Sequence, residues 1–465
     1  MNKIICFFLV LIILSSCNNK ETKAYDLVIY NAQILDLENE KMSENQSIFI
    51  SEGEIVEVRK SIDKEQFVAD RLIDADGKFV MPGLWDNHVH FRGGDTLIDE
   101  NKDLLPLFLA YGITTVRDAG GDITPSVMEW KDQIANGELD GPTIFSSGPK
   151  LDGDKPAWPG SIEVTSEADI VAALDSLENL EVDYVKTYDG NLPAENYYKI
   201  IEEAEKRGLK VTGHMPMSAD FMKAVSLGLD GVEHMYYPLK ACSPAADSLT
   251  ELDLGYGMME PLIDTYDPEL ADDVFAKMSE ENVYVTPTLY IGKTLAEILD
   301  VDHQQDSLLN YIGPGIQKTY QGRIEGAKRA KASGSKMREK MEEISTRMIR
   351  PMQNAGVSLL AGSDCGAFNS YVYPGESLRG ELNALAEAGL SNAEAIKSSI
   401  INGPKFMDMS EKYGSIKEGK VADLLLLEKN PMENLQHLKG IIAVIKNGKV
   451  INREDIQNML QEIKQ

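Results

Sequence analysis

The middle of the chain, about 81 to 410, alternates short apolar runs with longer amphipathic stretches. This alternation is typical of strand–helix units that build a parallel sheet. Helical patterning is clearest at 194–207 and 391–400. Eight strands separated by helices predict an α/β fold, a (β/α)8 or TIM barrel. The eight predicted strands are the run into His88, then 114–117, 143–146, 184–188, 210–214, 231–234, 283–287 and 357–362.

Both ends of the chain have a different, β-rich pattern. Short apolar strands at 26–30, 47–50 and 54–58 match similar runs at 422–427 and 442–450, where Asn447 and Gly448 form a strong hairpin signal. Two β-rich ends around a different middle predict one small sheet domain built from 25–80 and 411–465, with the barrel over 81–410.

Two connections in the barrel exceed the usual strand–helix unit, at about 237–280 and 292–350. Active sites of such barrels lie at the carboxyl ends of the strands. We therefore expect both segments to form lids or pocket walls.

The first residues are typical of a targeting segment. Lys3 precedes an apolar stretch, 4–14, that is too short for a permanent membrane helix. The residues 14–17 (LSSC) resemble a bacterial lipobox, which implies a signal peptide over 1–16, lipidation of Cys17 and a tether over 17–24. The alternative is a generic signal peptide with an incidental cysteine. The lipobox interpretation predicts a lipid-anchored protein of the cell envelope, on the periplasmic or cell-surface side of a bacterial membrane.

The composition limits the kinds of partner that the protein is expected to bind. The formal net charge of -29 argues against binding nucleic acid or anionic lipid through a basic face. We expect a small-molecule substrate and membrane contact through the lipid anchor only, while oligomerisation is left open. Cys242 and Cys365 could pair in an oxidising compartment, but without a known distance we treat them as free.

Ionisable residues recur at the predicted strand ends. His88 and His90 are two residues apart and so share one face of a strand, where both imidazoles can approach one cation. Lys186, His214, His234 and Asp364 occupy similar positions on later strands. Each has an ordinary alternative: a hydrogen-bonded core histidine, a salt-bridged lysine, or a helix cap. Their joint occurrence at one mouth of a barrel predicts a metal site.

With these residues in place, the chain from about 25 to its end resembles the amidohydrolase superfamily, in its imidazolonepropionase-like and prolidase-like branch. The motifs are highly specific for the superfamily and weakly specific for substrate. They are 81–84 (MPGL), 86–90 (DNHVH), 112–118 (GITTVRD), 182–188 (VDYVKTY), 213–216 (GHMP), 232–234 (VEH), 361–364 (AGSD) and 414–423 (GSIKEGKVAD).

The resemblance implies a flanking β-sandwich and two divalent metals, most often zinc. One metal would take His88, His90 and Asp364, and the other His214 and His234. Lys186 would bridge them as a carbamate, N6-carboxylysine, since an ammonium cannot ligate a cation. A water between two cations loses its proton near neutral pH and becomes the nucleophile. Asp364 would take that proton and pass it to the leaving group.

Three further residues are candidates for substrate binding. Tyr188 and Tyr236 each lie two positions beyond a predicted ligand and share its face, although both could merely pack. Arg117 ends the second strand, where it could meet a substrate carboxylate or form a structural ion pair.

These features predict a metal-dependent hydrolase that cleaves an amide or peptide-like carbon–nitrogen bond in a small molecule, such as a dipeptide or N-acyl amino acid. A lactonase or phosphotriesterase-like hydrolase is an alternative, because the same nucleophile attacks those electrophiles. A one-metal deaminase is disfavoured by Lys186 and by the absence of a glutamate in the four residues after His214. A non-catalytic binding lipoprotein is disfavoured because no predicted ligand is missing.

Overall fold

A computed structural model describes residues 24–61 and 67–464. The predicted signal peptide, the lipidation site Cys17 and all but the last residue of the tether lie outside the described residues. Within those ranges, no helix combines the length and the apolar character needed to cross a bilayer. Cys242 and Cys365 are buried and unpaired in the described structure.

The described residues form eighteen strands. They are β1 (Ala24–Asp36), β2 (Lys41–Ser51), β3 (Glu54–Lys60), β4 (Val68–Asp74), β5 (Phe79–Pro82), β6 (Leu84–Val89), β7 (Ile113–Asp118), β8 (Thr143–Ser146), β9 (Leu151–Asp152), β10 (Ile162–Glu163), β11 (Val185–Thr187), β12 (Val211–Gly213), β13 (Gly231–Glu233), β14 (Tyr284–Thr286), β15 (Ser358–Leu359), β16 (Leu424–Leu427), β17 (Ile441–Lys446) and β18 (Lys449–Asn452).

The same ranges contain eighteen α-helices. They are α1 (Ile98–Lys102), α2 (Leu105–Ala110), α3 (Thr124–Ala135), α4 (Glu167–Asn179), α5 (Ala194–Arg207), α6 (Phe221–Ser226), α7 (Tyr236–Ala241), α8 (Ala246–Glu251), α9 (Met259–Asp264), α10 (Pro268–Glu280), α11 (Leu289–Ala296), α12 (Pro314–Thr319), α13 (Gln321–Ser333), α14 (Met337–Ala355), α15 (Glu376–Glu387), α16 (Asn392–Ile400), α17 (Asn402–Phe406) and α18 (Arg453–Glu462).

All eight strands predicted for the middle of the chain are present, as β6, β7, β8 and β11 to β15. They pair in parallel in three sheets, of which the second also contains the unpredicted short strands β9 and β10. Backbone hydrogen bonds connect neighbouring sheets: Asp183 to Ser146 (2.9 Å), Asp230 to Val211 (3.2 Å) and Asn87 to Ala361 (3.0 Å). The fold is TIM-barrel-like.

Strands from both chain ends share one eight-stranded sheet, in the order β18-β17-β16-β5-β1-β2-β3, with β4 on β1. The interior strand β16 is a run of four leucines whose side chains alternate between the two faces. Leu425 and Leu427 pack into the main core, whereas Leu424 and Leu426 pack with Ile48 and other residues in a second apolar cluster. Burial on both faces explains the uninterrupted apolar run. The division into domains at 25–80, 81–410 and 411–465 stays a prediction.

Candidate metal centre

Three of the predicted ligands converge at one mouth of the barrel. His88 lies in β6, His90 follows that strand, and Asp364 lies in the loop after β15. The Nε2 atoms of His88 and His90 are 3.2 Å apart, and Asp364 Oδ1 lies 3.4 Å from the first and 3.2 Å from the second. Among the described residues these three form a buried group with the proximity that a metal ion requires.

His214 and His234 form the adjoining pair. They follow β12 and β13, and their Nε2 atoms are 3.2 Å apart. His234 Nε2 also lies 4.0 Å from Asp364 Oδ2, so the carboxylate of Asp364 faces both pairs of imidazoles. Four Nε2 atoms and one carboxylate thus surround a common space.

A polar partner holds the other ring nitrogen of each imidazole. His90 Nδ1 is 3.0 Å from the Gly120 carbonyl, His214 Nδ1 is 3.1 Å from Asp189 Oδ1, and His234 Nδ1 is 2.6 Å from the Thr288 hydroxyl. The partner of His88 Nδ1 is the carboxylate of Glu233. Metal-binding histidines are oriented in this way, with Nδ1 bonded to the protein and Nε2 free for the ion.

Lys186 lies in β11 and is 1% exposed. Within the described part of the chain its Nζ has no hydrogen-bond partner, and Glu233 Oε1 lies 3.7 Å away. Burial lowers the pKa of this ammonium to about 8, against the opposing charge of Glu233. A buried lysine nitrogen without a hydrogen-bond acceptor, beside four imidazoles, fits a side chain that carries a metal-binding group.

His234 and Asp364 both have left-handed backbones, with φ of 67° and 56°. Such conformations cost non-glycine residues on the order of 1–3 kcal/mol and persist where surrounding contacts impose them. Here the amide of His234 donates to Thr286 O at 2.8 Å and that of Asp364 to His88 O at 2.7 Å, while Asn369 Nδ2 donates to Asp364 Oδ1 at 2.8 Å. These bonds turn both side chains toward the common space.

Sequence reasoning missed Glu233, the last residue of β13, which is completely buried. It accepts hydrogen bonds from Arg117 Nη2 (2.9 Å) and Thr212 Oγ1 (3.1 Å) and contacts His88. Burial by itself would raise the pKa of Glu233, but the charges of Arg117, Lys186 and His88 outweigh burial and hold it well below its ordinary value. The sequence did contain a signal for this role: Glu233 is a carboxylate inside a short apolar strand, and a charge buried there needs partners.

Arg117, considered for substrate binding, is 1% exposed and lies behind the ligands. Its guanidinium pairs with Glu233, and its Nε donates to Asn87 O at 2.6 Å. It is not among the residues that line the cavities next to the site. This position favours the alternative, a structural ion pair, over contact with a substrate.

Comparison with known proteins identifies the group to which this arrangement belongs. The sequence model of the amidohydrolase family matches residues 79–451. The chain belongs to the amidohydrolase family. The predicted resemblance is therefore confirmed at the level of the family, and the chain is an enzyme, an amidohydrolase acting on carbon–nitrogen bonds.

Relatives of this amidohydrolase include the ochratoxinase of Aspergillus niger, 23% identical over 436 residues that cover 80% of this chain and 75% of the relative. They also include the 5'-deoxyadenosine deaminase of Methanobrevibacter smithii, 22% identical over 405 residues, with coverage of 83% and 80%. Among solved structures, a putative prolidase from Bifidobacterium longum matches 94% of this chain and 99% of its own, with a TM-score of 0.66 and 22% identity. That likeness supports the fold.

The amidohydrolase has a cavity of about 350 Å³ beside the candidate ligands. Tyr188 and Tyr236 line it. The ring centre of Tyr188 lies 4.6 Å from that of His214, and the ring centre of Tyr236 lies 5.9 Å from that of His234. Tyr256, from the first long connection, and Met337 and Met341, from the second, complete part of the wall. Both long connections thus contribute pocket walls, while substrate contacts of the two tyrosines remain a prediction.

Proposed function

We propose that this amidohydrolase hydrolyses an amide or peptide-like bond of a small molecule, such as a dipeptide or N-acyl amino acid, with two divalent metals, zinc foremost. His88, His90 and Asp364 would hold one metal and His214 and His234 the other. Lys186, carboxylated to N6-carboxylysine, would bridge them. The observation that carries the proposal is the buried Lys186 Nζ without a hydrogen-bond acceptor, next to imidazoles whose Nδ1 atoms are all engaged.

When bound, the metals would activate water and polarise the scissile carbonyl. Asp364 lies between both histidine pairs, so its carboxylate is placed to accept a proton from the attacking water and return it to the leaving nitrogen. Asn369 holds the Oδ1 atom of that carboxylate. Tyr188 and Tyr236 stand at the cavity wall, where their hydroxyls would orient the substrate.

The finer architecture is part of the same proposal. We infer a closed (β/α)8 barrel over 81–410, supported by the hydrogen bonds between its three sheets. A β-sandwich from 25–80 and 411–465 is supported by the sheet that both chain ends share. Lipidation of Cys17 would anchor the enzyme in the cell envelope.

Deamination is the second candidate, favoured by the deaminase among the relatives. The residues 215–218 that follow His214, Met-Pro-Met-Ser, include no carboxylate for proton transfer. Lys186 fits a bridged pair of metals better than a single one. Amide hydrolysis is therefore the stronger proposal.

The test uses the full chain without its signal peptide. Metal per chain is measured after purification, followed by hydrolysis of a panel of dipeptides, N-acyl amino acids, lactones and aminopurine nucleosides. We expect about two metals per chain and turnover of amides, lost with a chelator and restored by zinc. Turnover of nucleosides or lactones alone would refute amide hydrolysis, and a fully active metal-free chain would refute the metal centre.

A further inference from the structure

Besides Lys186, three cationic side chains line a small cavity of about 50 Å³ that adjoins His90, His214 and Asp364. Arg92 follows β6, Lys150 precedes β9, and Arg323 lies in α13. The indole of Trp158 lies beside this group, with its ring centre 4.5 Å from the Arg92 guanidinium and 5.3 Å from Lys150 Nζ. We call these four residues the cationic nook.

No carboxylate of the described residues forms an ion pair with a cation of the nook. Lys150 is 3% exposed, and within the described ranges its Nζ has neither a hydrogen bond nor an ion pair, only the rings of Trp158 and Tyr188. Arg92 Nε donates to Ala367 O at 2.9 Å, and Arg323 Nη2 donates to Asn369 Oδ1 at 3.2 Å. The three cations thus have neutral acceptors or aromatic faces as partners.

Two other buried lysines, Lys240 and Lys446, are satisfied by the protein. Lys240 donates to two backbone carbonyls, at 2.6 and 2.7 Å, and Lys446 pairs with Asp423 at 3.0 Å. Burying a charge is costly unless it is paired. Burial and the neighbouring Arg92 lower the pKa of Lys150 to about 7. An anion entering the nook would supply the missing partner.

The large cavity on the other side of the ligands has the opposite character. Its wall is mostly apolar, and its four charged residues balance, with Arg323 and Arg338 against Glu342 and Asp364. Its apolar residues include Met235, Leu289, Ile291, Leu295, Met337 and Met341. The two cavities share Tyr188, His214, His234, Arg323 and Asp364, so the candidate metal centre lies where they join.

We propose that the cationic nook binds the carboxylate of an N-acyl amino acid, while the apolar cavity takes a bulky acyl group. This substrate class rests on the proposed amide hydrolysis, because the scissile bond then lies between the two cavities, at the candidate ligands. Water adds across that bond: its oxygen bonds to the acyl carbon, the carbon–nitrogen bond breaks, and the acyl group leaves as a carboxylate. The nitrogen takes up both protons of the water and leaves as the ammonium group of the free amino acid. Arg92, Lys150 and Arg323 act as positioning residues.

The experiment compares N-benzoyl-L-alanine with N-benzoyl-L-alaninamide, its uncharged counterpart, and with N-acetyl-L-alanine, which lacks the bulky group. The zinc-loaded wild type is measured beside Lys150→Met and Arg323→Met. Lys155→Met is the matched control, since Lys155 lies nearby in sequence but is exposed. Metal content and thermal unfolding verify that each variant is folded.

We expect the wild type to prefer the acid over the carboxamide by about 100-fold in kcat/KM, as for a buried charge pair. Lys150→Met and Arg323→Met should each reduce that preference about 10-fold or more, mainly through a higher KM for the acid, with a smaller effect on the carboxamide. Lys155→Met should behave as the wild type. The acetyl compound should react more slowly than the benzoyl compound.

Equal rates for acid and carboxamide would refute carboxylate binding by the nook, and so would an acid preference that survives both variants. Neither result would contradict amide hydrolysis. If no compound is hydrolysed, calorimetric titration of the same compounds measures whether the nook still binds the acid in preference to the carboxamide. Acid-selective binding that Lys150→Met removes would support the nook and contradict the proposed hydrolysis. Absence of both hydrolysis and selective binding would overturn both.

Discussion

Replacing Glu233 by glutamine removes the charge that compensates Arg117 while keeping the shape of the side chain. Arg117 is 1% exposed and would retain two neutral acceptors, Asn87 O at 2.6 Å and Thr286 Oγ1 at 3.1 Å. Removing one partner of a buried ion pair costs about 3–5 kcal/mol. The variant also exchanges the carboxylate at His88 Nδ1 for an amide, and such changes weaken metal binding about 10–100-fold.

Two measurements check these magnitudes: the free energy of unfolding from denaturant titration of the metal-free chain, and zinc affinity from competition with a chelator. Glu202→Gln is the control, because its pair with Lys199 (3.2 Å) is exposed and should contribute little to stability. The double variant Arg117→Met/Glu233→Met should lose less stability than the sum of its single changes, since no charge stays buried alone. Unchanged stability and zinc affinity in Glu233→Gln would refute this role.

Three further changes have defined outcomes. Lys186→Ala should lower the number of metals per chain from about two toward one and abolish most turnover, and a short carboxylic acid should restore part of the activity. Two tightly bound metals with normal activity would show that Lys186 has only a structural role. Glu381 is buried with a pKa raised to about 8 by burial. The stability that protonated Glu381 contributes is complete below pH 4.5 and is lost as pH rises through 8. The free energy of unfolding of Glu381→Gln should therefore vary less over this pH range than that of the wild type, by up to about 5 kcal/mol; equal pH profiles would contradict this. Cys17→Ala should abolish incorporation of radioactive fatty acid and release the protein from membranes, and retained labelling would reject the lipobox.

The pattern of the chain was sufficient for the elements that carry the site. Each short apolar run predicted as a strand of the middle region is a strand, because such runs can be satisfied only inside a sheet covered on both faces. The predicted α5 at 194–207 matches the helix in full, since its apolar residues recur on one face and Gly208 ends it with a left-handed φ of 69°. The strands β9 and β10 were not predicted, because each is two residues long and so too short to show a periodic pattern.

By itself the sequence determined the family, the alternation of strands and helices, and the candidate metal ligands, because local periodicity and motif spacing depend on neighbours along the chain. The partners of those side chains depended on the tertiary structure. Glu233 and Arg117 are 116 residues apart, and Arg92, Lys150 and Arg323 come from three separate segments. Charge pairing acts through space, so only the tertiary arrangement of the strands decides which buried charges are compensated and which lack an anionic partner within the described residues.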